Sequence, residues 1–373
     1  MRAVDPDTVE TPIGYVDLQR VRSNAKKIAS YSEEHGLKWR PHIKTHKSRE
    51  IARLQIDAGA TGITVATLRE AEVMSTVTQD LLLAYPPVGA PKLQRLTQLP
   101  RELDLKVALD SVQVLEPLAA AAASADRQIG ILIERDVGLG RVGVQSVEEV
   151  IQLAELAQEL DGVDFRGFMF YPGQIRMAEV EQDAHVREVA ALVEEMNVAL
   201  DDVGLVPEIV SGGSTPTLWR SHNYGGITEI RSGSSIFFDL EALRVGVASH
   251  EDLAYTVLTT VVSTAVQGGA VVDAGSKALS KEVRSVEGDF GVLFDRPEIT
   301  VKALNEEHGV LDLSRTDWEP TIGDQVRIIP NHVCVSVNLQ DSLLAQDGNA
   351  HVMLNLEAKG RSRWVEESLL NTH

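Results

Sequence analysis

The chain has 373 residues, 43% hydrophobic and 24% charged, which suits two domains at roughly 150 residues each, or one large barrel with an appendage. Its 35 Lys and Arg against 55 Asp and Glu leave a formal charge of −20. That excludes a general nucleic-acid binder, which needs clustered cations, and an anionic membrane surface, which would repel it.

The single cysteine, Cys334, rules out an internal disulfide framework and a four-cysteine zinc site. Residues Met1 to Asp7 show no basic stretch followed by an apolar run, so no signal peptide is expected. No apolar stretch approaches the ~20 residues that span a bilayer. A soluble cytoplasmic protein is the expectation.

In chain order, an opening helix is expected near Leu18. Short β-branched or apolar runs then alternate with helical patterns: 38–43, 62–65, 80–84, 105–109, 129–134, 164–170, 207–210 and 226–230. Between them lie amphipathic stretches such as 147–160 and 179–203, with apolar residues three and four apart. Runs this short and apolar suit parallel strands buried on both faces. Eight such units without a dinucleotide fingerprint favour a closed (β/α)8 TIM-type barrel, here over residues 14–243, rather than an open doubly wound sheet.

After Leu243 the texture changes to runs rich in Val and Thr, at 255–266, 269–273, 326–329, 333–339 and 351–356. This predicts a mainly antiparallel β domain over 244–373, about 130 residues, with 1–13 expected to join it.

Chemistry in a parallel barrel collects at the C-terminal ends of the strands. The first run ends in Arg40-Pro41-His42-Ile43-Lys44-Thr45-His46-Lys47. A lysine at that mouth, flanked by Ile43, can be desolvated and freed for Schiff-base chemistry; taken alone, Lys44 reads more readily as a solvated loop residue. After the seventh run, Ser211-Gly212-Gly213-Ser214-Thr215-Pro216-Thr217 offers backbone N–H groups and hydroxyls to an anion, and inside a barrel it reads as a phosphate cradle. Arg231-Ser232-Gly233-Ser234 follows the eighth run beside it.

In the β domain, Asn331-His332-Val333-Cys334 places imidazole and thiol two residues apart. On a strand they would share a face and suit a divalent metal, while a buried cysteine beside a satisfied histidine is an equal reading. Glu306-Glu307-His308-Gly309 reads as a polar turn or a hairpin connection. In Asp136 to Gly143 the glycines serve tight backbone geometry.

Together with Phe170-Tyr171-Pro172-Gly173 and Asp273-Ala274-Gly275-Ser276-Lys277, these segments resemble, in matching order over nearly the whole chain, the D-threonine aldolase and D-serine dehydratase group of pyridoxal-phosphate enzymes with the alanine-racemase-like fold. The resemblance implies that Lys44 carries pyridoxal 5'-phosphate and acts in catalysis. It implies further that Ser214, Thr215, Gly233 and Ser234 hold the phosphate and that Tyr171 lines the ring. Arg231 aligns with the arginine that meets the pyridine nitrogen in alanine racemases. His332 and Cys334 match the pair that binds a divalent metal, Zn2+ or Mn2+. A homodimer acting on a small D-amino acid is implied too.

Aldolases of this group show His-x-Asp, whereas dehydratases of D-serine and D-3-hydroxyaspartate tend to show His-x-Cys. Cys334 therefore tilts the expectation toward β-elimination of D-3-hydroxy amino acids, with retro-aldol cleavage to glycine and an aldehyde as the alternative. Racemisation is weaker, because it needs a second base, typically a tyrosine, and Tyr255 is the only one after Leu243. A non-enzymatic cofactor carrier of the single-barrel kind would lack the second domain. The sequence leaves open the substrate's side chain, the native metal and the roles of His308 and Arg141.

Overall fold

Eight strands lie parallel in one sheet: Lys38–Trp39, Ile63–Val65, Asp80–Leu83, Asp104–Leu109, Ile129–Arg135, Val163–Phe170, Ile209–Gly212 and Glu229–Ile230. Each pairs with its neighbours in chain order, and the last pairs with the first through Glu229–Lys38 and Ile230–Trp39. A parallel bridge from His42 to Thr64 joins the first strand to the second and closes the barrel. The computed structural model describes residues 2–284 and 288–361.

The chain forms two units. Residues 27–233 and 357–361 make the barrel unit; residues 2–26, 234–284 and 288–356 make the second. The helix Leu18–Glu34 carries the chain from the second unit into the first.

The barrel strands read as apolar runs because both faces are covered. All seven residues of Ile129–Arg135 are buried, and Leu82, Ala108, Leu132, Met169 and Ile209 pack together across neighbouring strands. The helix Val147–Glu159 illustrates a crossover: Ser146 and Glu149 form a reciprocal cap at its start, and Val150, Leu153, Ala154 and Ala157 are its buried stripe. At Gly167, with φ at 142°, the strand shifts register, and a β-carbon there would run into the Ile209 backbone.

In the second unit, Tyr255–Ser263 is the central strand. It pairs antiparallel with Ile13–Asp17, Gly269–Val272 and Gln325–Pro330. Ser342–Asp347 adds in parallel beside Ile13–Asp17 and pairs antiparallel with Ala350–Asn355.

One expected strand is a helix. Residues 333–339 alternate apolar and polar like a strand, yet Val333–Leu339 is helical and buries Val333, Ser336 and Val337. Those positions share a helix face, not a strand face. Ser336 Oγ donates to the Ala278 carbonyl at 2.8 Å and lies 2.9 Å from the Tyr255 hydroxyl. Both contacts need a residue aimed inward at a helical spacing. Packing overrides the β-like composition.

Candidate active site

Because the barrel strands run parallel, Lys44, Tyr171, Ser214, Arg231 and Gly233 follow strand ends on one face of the barrel unit. Between the first strand and that face the backbone stays extended by pairing with its neighbour: Thr64 N donates to the Pro41 carbonyl and Ile43 N to the Thr64 carbonyl. Ile43 is buried, while Lys44 beside it is exposed, so the apolar flank does not desolvate the amine in this structure. Among the described residues Lys44 has no carboxylate partner. Lys47, three residues on, is held instead by the buried Glu70 at 2.5 Å. Of the two lysines, Lys44 is the one whose amine is available for bond formation.

His42 escaped the sequence reading. Its Nδ1 accepts the Lys44 backbone N–H at 3.4 Å. Burial holds its pKa well below the usual value, reinforced by the positive charges of Lys44, Arg231 and Lys47. A neutral imidazole therefore stands beside Lys44. The available signal was its position two residues before a lysine at a strand end, where alternation puts both side chains on one side.

The segment after the seventh strand, expected to be a phosphate cradle, is a buried turn. Gly213 adopts φ 87°, and Ser214 and Thr215 are buried. Ser214 Oγ lies 2.9 Å from Thr217 Oγ1, which also accepts the Tyr224 hydroxyl at 2.9 Å. Gly233 packs so closely on the first-strand loop that a β-carbon would sit 2.5 Å from the His42 carbonyl oxygen. The lysine-bearing loop and the arginine-bearing loop thus meet at a glycine. The hydroxyls of Ser214 and Thr215 beside the Gly213 turn fit a phosphate-bearing group. Ser234, the next residue, opens the short 3-10 turn Ser234–Ile236 of the second unit.

Tyr171 follows the Val163–Phe170 strand, and the Arg141 guanidinium lies 5.1 Å from its ring centroid. Arg141 is brought there by a turn in which the Asp136 carboxylate accepts the N–H groups of Gly138, Leu139 and Gly140. Glu134 was also missed. It is buried, and burial raises its pKa while the charges of Arg231 and Arg141 pull it back down. A buried glutamate inside an apolar strand, followed by Arg135 and Asp136, was the signal. Arg231 is 6% exposed; its Nη1 donates to Ser211 Oγ at 2.6 Å and its Nη2 to the Phe170 carbonyl at 2.8 Å.

In the second unit, His332 is the residue before the helix Val333–Leu339, and Cys334 lies in its first turn. The expected pairing on a strand face is therefore replaced by a helix start, which still brings the two side chains into hydrogen-bond contact. Asp239 completes the group: its Oδ2 lies 3.1 Å from His332 Nδ1 and accepts Val333 N–H at 3.0 Å. Burial opposes protonation of His332, but the Cys334 sulfur and the Asp239 carboxylate outweigh it and push the pKa up to about 10.

Among the described residues no group of three or more His, Cys, Asp or Glu is arranged around a metal position. The donor set nonetheless fits a divalent ion: one imidazole and one thiol side by side, with a carboxylate on the imidazole's other nitrogen, as metal-ligating histidines commonly have.

Glu306-Glu307-His308 is a hairpin connection between Val301–Leu304 and Gly309–Asp312. The Asn305 carbonyl accepts the N–H of Ser276 and the Glu306 carbonyl that of Lys277, and Gly275 is needed for that approach. Both motifs thereby receive a structural explanation. Among the described residues, no helix is long and apolar enough to cross a membrane.

Comparison with known proteins covers most of the chain. Residues 16–241 match the family model "Alanine racemase, N-terminal domain" and residues 254–345 the model "Putative serine dehydratase domain". A D-threo-3-hydroxyaspartate dehydratase of Delftia sp. (strain HT23) is 34% identical over 352 residues, 88% of this chain and 92% of the relative. A D-threonine aldolase of Arthrobacter sp is 32% identical over 362 residues, covering 95% and 94%.

Among solved structures, a metal-free D-threo-3-hydroxyaspartate dehydratase with one cysteine changed to alanine superposes with a TM-score of 0.85 at 30% identity, covering 95% of this chain and 98% of that one. A companion structure of that enzyme carries alanine in place of a histidine two positions earlier.

Proposed function

Because the chain belongs to the D-threonine aldolase and D-serine dehydratase group of pyridoxal-phosphate lyases with the alanine-racemase-like fold, we propose that it eliminates water from D-3-hydroxy amino acids of the D-serine and D-3-hydroxyaspartate type. The overall change removes the Cα proton and the Cβ hydroxyl; the resulting enamine hydrolyses to a 2-keto acid and ammonia. One observation carries the choice of elimination: His332 and Cys334 have the His-x-Cys spacing, and the related dehydratase has histidine and cysteine at the same spacing.

Pyridoxal 5'-phosphate supplies the electron sink and a divalent ion supplies a Lewis acid for the substrate hydroxyl. The chain's own residues do the rest. Lys44 would hold the cofactor through its amine, and its Nζ would serve as the base that takes the substrate's Cα proton. Ser214, Thr215, Gly233 and Ser234 hold the phosphate. Tyr171 lines the ring, and Arg231 directs a donor at its nitrogen. His332 Nε2 and Cys334 Sγ hold Zn2+ or Mn2+, with Asp239 fixing the imidazole. A homodimer is the assembly proposed, which light scattering reads directly.

The deciding experiment supplies D-serine, D-threonine and D-threo-3-hydroxyaspartate with Zn2+ or Mn2+ and measures keto acid and glycine separately. Keto acid without glycine is the expected result. Glycine plus an aldehyde would assign retro-aldol cleavage instead. Turnover that survives chelation would remove the metal role of His332 and Cys334.

A further inference from the structure

Behind Arg231 the barrel unit holds a hydrogen-bonded chain of alternating charge. Ser211 Oγ accepts Arg231 Nη1–H at 2.6 Å and donates to Glu229 Oε1 at 2.5 Å. Glu229 is fully buried and is clasped by Arg40 Nε at 3.1 and 2.9 Å from its two oxygens. The other end of Arg40 pairs with Asp80. No group in this chain below Arg231 has a part in the proposed reaction.

The direction of the chain is fixed by its chemistry. A serine hydroxyl has one proton, and a carboxylate can only accept. The Ser211 proton therefore lies on the Glu229 bond, and toward Arg231 the same oxygen is an acceptor only. With Nη1 held by Ser211 and Nη2 by the Phe170 carbonyl, the guanidinium plane is set from two sides. Burial, with Arg40 nearby, disfavours its charge, and Glu229 and Glu134 favour it.

We infer that Ser211, anchored by Glu229, is a positioning residue that fixes the plane and donor character of Arg231 toward the cofactor ring. This rests on the assignment of Arg231 to the ring nitrogen given above. Ser211 touches neither substrate nor cofactor in this scheme; it acts through Arg231.

The test compares Ser211→Ala, Ser211→Thr and Arg231→Lys as holoenzymes. Visible absorption of the bound cofactor is followed across pH, together with cofactor affinity and kcat and KM for D-serine. Loss of one charge-assisted hydrogen bond in Ser211→Ala is expected to lower kcat about tenfold with KM nearly unchanged, and to shift the pH midpoint of the visible band. Ser211→Thr, which keeps the hydroxyl, is expected to retain the wild-type midpoint. Glu229→Gln keeps the shape, removes the charge, and should shift the midpoint in the same sense; it serves if Ser211→Ala does not fold. An unshifted band in Ser211→Ala alongside a shifted one in Arg231→Lys overturns the inference and leaves Arg231 at the ring. A band unmoved in Arg231→Lys as well overturns both.

Discussion

The Asp239 carboxylate clasps His332 while capping a helix of its own. Its Oδ1 accepts Ala242 N–H at 3.1 Å at the start of Leu240–Val245, and its Oδ2 sits 3.1 Å from His332 Nδ1. A carboxylate accepts, so Nδ1 donates to Asp239, and Nε2 is the nitrogen that would give up its proton to take a metal. One side chain thereby ties the start of the histidine–cysteine helix to a second helix and sets the tautomer.

Asp239→Asn is expected to weaken divalent-metal binding by about 10- to 100-fold, the usual effect of losing an outer-sphere carboxylate. Chelator competition measures it, and unchanged circular dichroism shows that the fold persists. Wild-type affinity in the variant would mean that the carboxylate does not serve the metal position.

Lys44→Ala should abolish the covalently held cofactor. Borohydride reduction of the wild type labels the peptide containing Lys44, and the variant stays unlabelled. Turnover should fall by at least roughly 10²- to 10⁴-fold, since the same amine is the proposed base.

Gly233→Ala places a methyl group 2.5 Å from the His42 carbonyl oxygen. Backbone atoms cannot move aside as a flexible side chain can, so the two loops must separate. Overpacking of this kind costs about 1–3 kcal/mol. Thermal unfolding of the apoprotein and titration with pyridoxal phosphate are both expected to show a loss.

His46 makes stability depend on acid. It is fully buried; its Nδ1 accepts Ser48 N–H at 3.2 Å and its Nε2 lies 3.0 Å from Gln55 Oε1. Burial lowers its pKa to about 4, against 6.5 for the exposed side chain. Above pH 6.5 both folded and unfolded chains hold it neutral and its contribution is complete. As pH falls from 6.5 toward 4, only the unfolded chain takes up the proton, and up to about 3 kcal/mol of stability is lost. Denaturant melts at pH 7, 5.5 and 4.5 should show this slope, and His46→Gln should flatten it.

The barrel was legible because most of its eight strands are short, largely apolar runs buried on both sides, a pattern that depends on local sequence alone. The placement of Lys44, Arg231 and the Ser211–Thr217 turn after strand ends was legible too, because a parallel barrel puts every strand end on one face. The helix Val333–Leu339 was not, since its valines at alternating positions mimic a strand, and only the inward contacts of Ser336 select the helix. His42, Glu134 and Asp239 were missed because their meaning lies in partners far off in sequence.

The sequence by itself determined the architecture and the family, because periodicity and motif order are properties of the chain read locally. The tertiary structure decided that Glu70 pairs with Lys47 and not with Lys44, which nitrogen of His332 meets Asp239, and what holds Arg231. Those depend on burial and on hydrogen-bond partners far apart in the chain, as His332 and Asp239 are at 93 residues. Desolvation and directional bonding act only where folding has brought such groups within about 3 Å.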